Sequence, residues 1–364
     1  MTCRLLYVVG QLHPGGSERQ LYYLLQAMDR ERYRPVVVVW NVHENNVYAP
    51  QIRALGVTLH FFPPELSAAE KLREFRLLVR ELNPEVVHSY SFYTNFAAYW
   101  AARGTQATAL GAIRSNFTLD RKDVGLWLGR LSSRWPHNQI SNNFSAAETA
   151  RGSRSLFVPQ RVFVVRNGVD LELFRSVALT TAGQVHIVGV GSLFPVKRWD
   201  RLLLAALELK QRGLDCLVRI AGDGPLRRSL EQLAQDLGLA NCIEFIGHTD
   251  DIPRLLSDAT FLVVTSDHEG YPNVVMEAMA CGRAVVATDV GDVPSLVEDG
   301  KTGFVVRRGD DTTLVARMAT LLTQIDLCRQ MGKAGRVKAE REFGLDRLVA
   351  ETLAAYRAAG WKDA

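Results

Sequence analysis

Glu269-Gly270-Tyr271-Pro272-Asn273-Val274-Val275-Met276-Glu277 follows an apolar run at 261–265 and opens a stretch of helical period at 274–280. A buried strand, a tight Gly/Pro turn and a helix start, in that order, build doubly wound parallel sheets. Asn273 stands where an N-cap belongs, just ahead of the helical residues. Backbone N–H groups at such a helix start face the carboxyl edge of the sheet and favour an anion there. Glu269 heads the turn and Glu277 lies about one turn into the helix. A carboxylate accepts two hydroxyl donors at once, with no metal required. Taken alone, though, two solvated acids beside a surface loop is the commoner reading of such a pair.

The same alternation runs outward in both directions. Strand candidates at 4–9, 35–40, 58–62, 86–89, 108–113, 139–141 and 162–166 precede a second series at 185–190, 217–221, 243–246, 261–265 and 284–287. Stretches of helical period at 18–28, 68–82, 92–103, 143–151, 199–211, 225–237 and 274–280 separate them. This pattern predicts βαβ units and parallel sheets. Residues 167–183 lack strong periodicity and hold a turn at Asn167-Gly168, which places a linker there. At 364 residues the chain suits two domains. The expected division is an N-terminal Rossmann-like domain at 1–172 and a C-terminal one at 173–345. A helix at 346–364, with Leu348, Leu353 and Tyr356 on related faces, is expected to return to the first.

The run Glu269 to Gly282 resembles the signature of the family-4 retaining glycosyltransferases, in which two such glutamates mark the donor site. The resemblance continues through Ala284–Gly291, Val293-Pro294 and Gly300-Lys301-Thr302-Gly303, covering most of the C-terminal half. It implies an α/β, GT-B fold of two facing Rossmann-like doubly wound parallel-sheet domains with an interdomain cleft. It also implies that Glu277 holds the ribose and Glu269 the transferred sugar, with Gly270, Tyr271, Pro272, Asn273 and Val274 forming the donor loop.

Val190-Gly191-Ser192-Leu193-Phe194-Pro195-Val196-Lys197-Arg198 resembles the stretch in which this family clamps the donor pyrophosphate with an arginine and, five residues on, a lysine. Lys197 holds the lysine position. Ser192 stands in the arginine position, a departure that removes a charge-assisted bond of about 1.5–3 kcal/mol, and Arg198 is the nearest candidate replacement. Gly222-Asp223-Gly224-Pro225 reads as a structural turn, and His248 lies in the loop that the family places beside the base. His13-Pro14-Gly15-Gly16-Ser17-Glu18 resembles the family's Gly-Gly turn, where a helix start faces sugar and phosphates; Gly16 admits close backbone approach and Ser17 is a candidate cap. A plain tight turn accounts for those glycines as well. His88 ends a strand and is placed by the resemblance near the anomeric centre, although a lone strand-end histidine is more often structural. Arg166-Asn167-Gly168-Val169-Asp170 reads as architectural.

Other chemistries fit less well. Neither glycine turn completes G-x-G-x-x-G, which disfavours a dinucleotide oxidoreductase. Asp267-His268-Glu269 follows a strand as an acidic metal motif does, but the glutamate pair around a helix start does not belong to that fold, and no zinc spacing occurs. A net charge of +4 is too small and diffuse for nucleic acid. Cys3, Cys216, Cys242, Cys281 and Cys328 are odd in number and scattered, as in a reduced, cytoplasmic protein. The apolar run at 5–9 is too short for a signal peptide or a membrane span. Residues 114–135 mix Arg114, Arg121, Lys122, Arg130 and Arg134 with Phe117, Leu126, Trp127, Leu131 and Trp135, suiting an acceptor entrance, an anionic membrane face or an ordinary packed helix.

The expected activity is transfer of a sugar from a nucleoside-diphosphate sugar, a UDP-sugar first and a GDP-sugar second, to a hydroxyl of a glycan or lipid-linked acceptor. The nucleotide-sugar is a co-substrate, and neither a cofactor nor a metal is expected. A nucleotide-sugar epimerase and a non-catalytic binding subunit are the rival readings.

Overall fold

The structure, a computed structural model, describes residues 4–42, 46–114, 116–179 and 185–363. Cys3 and the end of the expected linker, 180–183, lie outside them. The chain divides into two compact units, Met1–Gly168 together with Leu345–Ala364, and Val169–Gly344.

In the first unit the strands are β1 (Leu5–Val9), β2 (Val36–Val39), β3 (Thr58–Phe61), β4 (Val86–Ser89), β5 (Thr108–Ile113), β6 (Asn138–Ser141) and β7 (Arg161–Val164). Among the described residues they form one parallel sheet in the order β3-β2-β1-β4-β5-β6-β7. Every residue of β1, β2 and β4 is buried, which is why β1 and β2 read as unbroken apolar runs, while β4 ends on the buried polar pair His88-Ser89. The chain winds outward both ways from the β1/β4 boundary, and loops leaving in opposite directions open a crevice there at the carboxyl edge.

In the second unit β8 (His186–Val190), β9 (Leu217–Ala221), β10 (Ile243–Gly247), β11 (Phe261–Val264), β12 (Ala284–Thr288) and β13 (Gly303–Val306) pair in the order β10-β9-β8-β11-β12-β13, all parallel. Its switch point lies between β8 and β11. Both units are therefore α/β, Rossmann-like and doubly wound.

Local chemistry fixes several boundaries. Ser67 and Glu70 form a reciprocal capping box at the start of the helix Ala68–Leu82. The stretch expected as one helix at 92–103 begins instead with a 3-10 turn, Phe92–Thr94, before the helix Asn95–Ala102. The buried Asn95 side chain accepts from the N–H of Ala112 and donates to its carbonyl, locking this helix to β5. Ser17 does not cap its helix: Gly16–Ala27 starts two residues before the expected 18, with Gly15 as N-cap and no side-chain cap bond.

The helix Leu345–Ala358 packs within the first unit, burying Leu348, Leu353 and Tyr356. Gln20 clamps Gly168 from both sides, accepting from its N–H and donating to its carbonyl at 2.8 Å each. Arg347 binds the carbonyls of Arg166 and Asn167, so this stretch serves the architecture. No helix among the described residues is long and apolar enough to cross a membrane.

Candidate functional site

The second unit gathers its polar groups at the carboxyl edge of β8 and β11. After β8 the chain turns at Gly191 and passes through the 3-10 turn Pro195–Lys197 into the helix Trp199–Gln211. Trp199 donates to the carbonyl of Ser192 at 3.0 Å, and a side chain at Gly189 would strike its ring. The turn at Gly222 and Gly224 lies against the same loop. A β-carbon on Gly222 would stand 2.0 Å from the carbonyl oxygen of Gly191, and φ is +138° there. The Gly222–Pro225 turn is thus a support for the Ser192 loop.

Lys197 and Glu269, 72 residues apart, meet in this arrangement: Nζ lies 2.6 Å from Oε1. Ser266 Oγ donates to the same oxygen at 2.6 Å, and Thr265 Oγ1 bonds the carbonyls of Lys197 and Arg198. Glu269 is only 11% exposed, so the pair is far less screened than a surface ion pair. The loop is seated on Gly291, whose φ is +54° and whose missing β-carbon would stand 2.0 Å from the carbonyl oxygen of Glu269. Asp292 N–H donates to the carbonyl of Gly270 at 3.0 Å. Glu277 lies on the helix Asn273–Ala280 and is 2% exposed.

Two expectations need correction. Asn273 is the first helical residue and not the cap; Pro272 holds that position without a side-chain cap bond, since a proline before the helix fixes the turn by its ring. Tyr271, expected on the donor loop, packs its ring into the apolar core. Arg198 is not a spare cation replacing the arginine absent at Ser192. It adopts φ +51°, forks onto Asp200 and bonds Asp267 at 3.0 Å, and these carboxylates hold its pKa above the usual arginine range. Ser192 itself is exposed.

The Asp267-His268-Glu269 motif is taken up in the same way. Asp267 pairs with Arg198 and Arg201 and Glu269 with Lys197, so both carboxylates already face cations. No group of three or more metal-ligating side chains occurs among the described residues. His248 is largely exposed beside Asp250, at 3.4 Å.

In the first unit His88 ends β4 and is 1% exposed. Its Nδ1 is bonded to the Tyr356 hydroxyl at 2.7 Å and its Nε2 has no partner. Burial, with the positive charge of Arg114 second, holds its pKa well below 6.5 and keeps the ring neutral at pH 7. Gly15 and Gly16 begin the nearby helix, and a side chain on Gly15 would collide with the Glu18 carboxylate at 2.3 Å. Glu18 is buried, which raises its pKa; its own N–H and the charges of His13 and Arg114 act against that rise. Tyr356, Glu18 and Arg114 are absent from the expected site. Tyr356 lies 268 positions from His88 and no local signal joins them; Arg114 was read only as part of a basic stretch.

Comparison with known proteins agrees with this architecture. Residues 173–338 match the sequence pattern of the glycosyl transferases group 1, and residues 14–173 that of glycosyltransferase family 4. N-acetyl-alpha-D-glucosaminyl L-malate synthase of Bacillus anthracis is 24% identical over 323 residues, spanning 84% of this chain and 82% of that protein. The putative glycosyltransferase EpsF of Bacillus subtilis is 29% identical over 328 residues, 84% and 83% of the two chains. Anabaena Alr3699/HepE in complex with UDP-glucose superimposes with a TM-score of 0.82 at 19% identity, covering 97% of this chain and 99% of that one. Sucrose-phosphate synthase from Thermosynechococcus elongatus gives 0.81 at 18% identity and 98% coverage of both. These similarities identify the fold as GT-B.

Proposed function

This chain belongs to the group 1, family 4 glycosyltransferases, and from that premise we propose that it transfers a sugar, with retention, from a nucleoside-diphosphate sugar to an acceptor hydroxyl in glycan or glycoconjugate assembly. The observation that carries the reading is the Lys197–Glu269 pair at 2.6 Å beside the start of the helix that buries Glu277. UDP-sugars are the first candidate donors, in keeping with the UDP-glucose complex of the Anabaena protein, and GDP-sugars the second. Glu277 accepts the ribose hydroxyls and Glu269 those of the sugar. Lys197 and the helix start at Asn273 stabilise the charge that grows on the leaving diphosphate, a task for which preorganised donors are well suited.

In the step itself the acceptor oxygen bonds the anomeric carbon, the bond from that carbon to the diphosphate oxygen breaks, and the acceptor proton passes to the departing diphosphate. Glu269, already bonded by Lys197 and Ser266, is a poor nucleophile. Its engagement favours direct displacement on one face of the sugar over a covalent intermediate. The cation's work falls to Lys197, so the proposed reaction runs without a metal.

Thermal stabilisation by UDP, GDP, ADP and CMP, each with EDTA present, tests this reading on wild type and Glu277→Ala. Nucleotide at a hundred times its dissociation constant adds about 2.7 kcal/mol. One nucleotide is expected to stabilise the wild type and not the variant. No shift with any of them would sink the reading in favour of a subunit that no longer binds a donor, with Ser192 the departure responsible. Analysis of products with and without acceptor separates transfer from epimerisation.

We also propose that the enzyme works at the cytoplasmic face of an anionic membrane. The helix Leu126–Arg134 buries its small residues Gly129, Ser132 and Ser133 and turns Leu126 (65% exposed) and Trp127 (71%) outward, with Arg130 lying over the Trp127 ring. A helix packed only on its own domain would do the reverse. Co-sedimentation with phosphatidylglycerol vesicles is expected for the wild type and lost in Trp127→Ser combined with Arg121→Glu and Lys122→Glu. Equal sedimentation of both proteins would remove the membrane role.

A further inference from the structure

A second set of buried polar atoms lies at the carboxyl edge of β1, β4 and β5, in the other unit from Lys197, Glu269 and Glu277. Arg114 follows β5 directly and stacks its guanidinium on Tyr90, with Cζ 3.9 Å from the ring centroid. Its Nε and Nη2 are buried and have no hydrogen-bond partner. These two nitrogens carry their protons on the same side of the guanidinium plane, the edge that receives two oxygens of one anion side by side. Stacking on Tyr90 holds the plane and leaves that edge to a ligand.

The neighbours point the same way. His88 Nε2, on a side chain 1% exposed, and His13 Nδ1 are also buried without partners. Glu18 feels the charges of Arg114 and His13 but forms no ion pair with the guanidinium, and its carboxylate is turned onto its own backbone N–H. Buried donors of an always-charged group are rarely left unsatisfied in a folded protein, and a bound ligand is one explanation when they are.

We propose that the Nε–Nη2 edge of Arg114 is an anion subsite for the acceptor, which therefore carries a carboxylate or a phosphate near the hydroxyl that is glycosylated. The word acceptor rests on the transferase reading above; the anion site stands on its own geometry. The donor's phosphates are assigned to Lys197 and the helix start of the other unit, which leaves the Arg114 edge for the second substrate.

The test is calorimetric titration of the full chain with malonate, glycerol 3-phosphate and, as the neutral control, glycerol. Wild type, Arg114→Gln and Arg114→Lys are compared, and UDP affinity is measured on each. One of the two anions is expected to bind the wild type, identifying a carboxylate or a phosphate, while glycerol does not. Arg114→Gln is expected to weaken that anion about 10- to 100-fold with UDP affinity unchanged. Arg114→Lys also weakens it, because an ammonium cannot present two N–H groups side by side. Equal anion binding by wild type and Arg114→Gln, or none by the wild type, overturns the proposal. Parallel loss of UDP affinity in Arg114→Gln also overturns it, by assigning the guanidinium to the donor. Arg114-dependent anion binding in a protein that binds no nucleotide would uphold the anion site and sink the transferase reading.

Discussion

Replacing Glu269 by alanine is expected to lower sugar transfer by about 10²-fold or more while leaving affinity for the free nucleoside diphosphate intact. Two hydroxyl bonds to a carboxylate, at about 1.5–3 kcal/mol each, account for a loss of that size if they are made in the transition state. Free nucleotide lacks the sugar, so it makes neither of these hydroxyl bonds, and in the wild type Lys197 neutralises the carboxylate's charge toward the diphosphate. That separation distinguishes a residue that holds the sugar from one that holds up the loop. The loop rests on Gly291 and on the Asp292 N–H, neither of which the substitution touches. Steady-state transfer and equilibrium nucleotide titration check the result; unchanged turnover would sink the role.

Lys197→Ala is expected to cost about 10²–10³-fold in turnover, the usual loss for one preorganised donor facing a developing anion, and to weaken nucleotide binding as well. Two effects combine. The diphosphate loses its cation, and the Glu269 carboxylate loses the ammonium 2.6 Å away that neutralises it. An uncompensated, mostly buried carboxylate beside a diphosphate repels it. The double variant Lys197→Ala with Glu269→Ala should therefore bind nucleotide better than Lys197→Ala alone, although it transfers no faster. Full additivity of the two losses would contradict the shared pair. The charge missing at Ser192 makes this lysine more important: with Arg198 held by Asp200 and Asp267, the described donor loop has little else to offer a phosphate.

How far the sequence carried depended on how local each feature was. Most strands lie within a residue or so of the runs that announced them, because strands buried on both faces are written as continuous apolar stretches. β13 was passed over as part of a glycine-rich motif, since four residues between turns give no period. The long helix Ile325–Glu342 is absent from the expected stretches, and its sequence holds Gly332 and Gly335, poor helix formers. In the structure Gly332 lets this helix approach the backbone of Gly282, where a β-carbon would stand 2.1 Å from its carbonyl oxygen.

The candidate site divides in the same way. Lys197, Glu269 and Glu277 sit in short motifs whose order relative to a strand and a helix is legible, so their meeting at the β8/β11 edge follows from topology. The state of Arg198 was not legible, because its pairing with Asp267 joins two loops 69 residues apart. Tyr356 and Arg114 were beyond reach for a similar reason. A tyrosine on a helical face signals burial, and only the folded chain shows that its hydroxyl ends on His88.

That hydroxyl has a consequence for how the molecule is made. The unit Val169–Gly344 is contiguous, so all of it has been synthesised once residue 344 leaves the ribosome. The other unit is interrupted, and the helix that holds His88 through Tyr356 emerges only after that second unit. A nascent chain halted at Gly344 would carry Lys197, Glu269 and Glu277 in a finished unit while His88 still lacked its anchor. The order of translation would then leave the first unit open at His88 after the second has already matured.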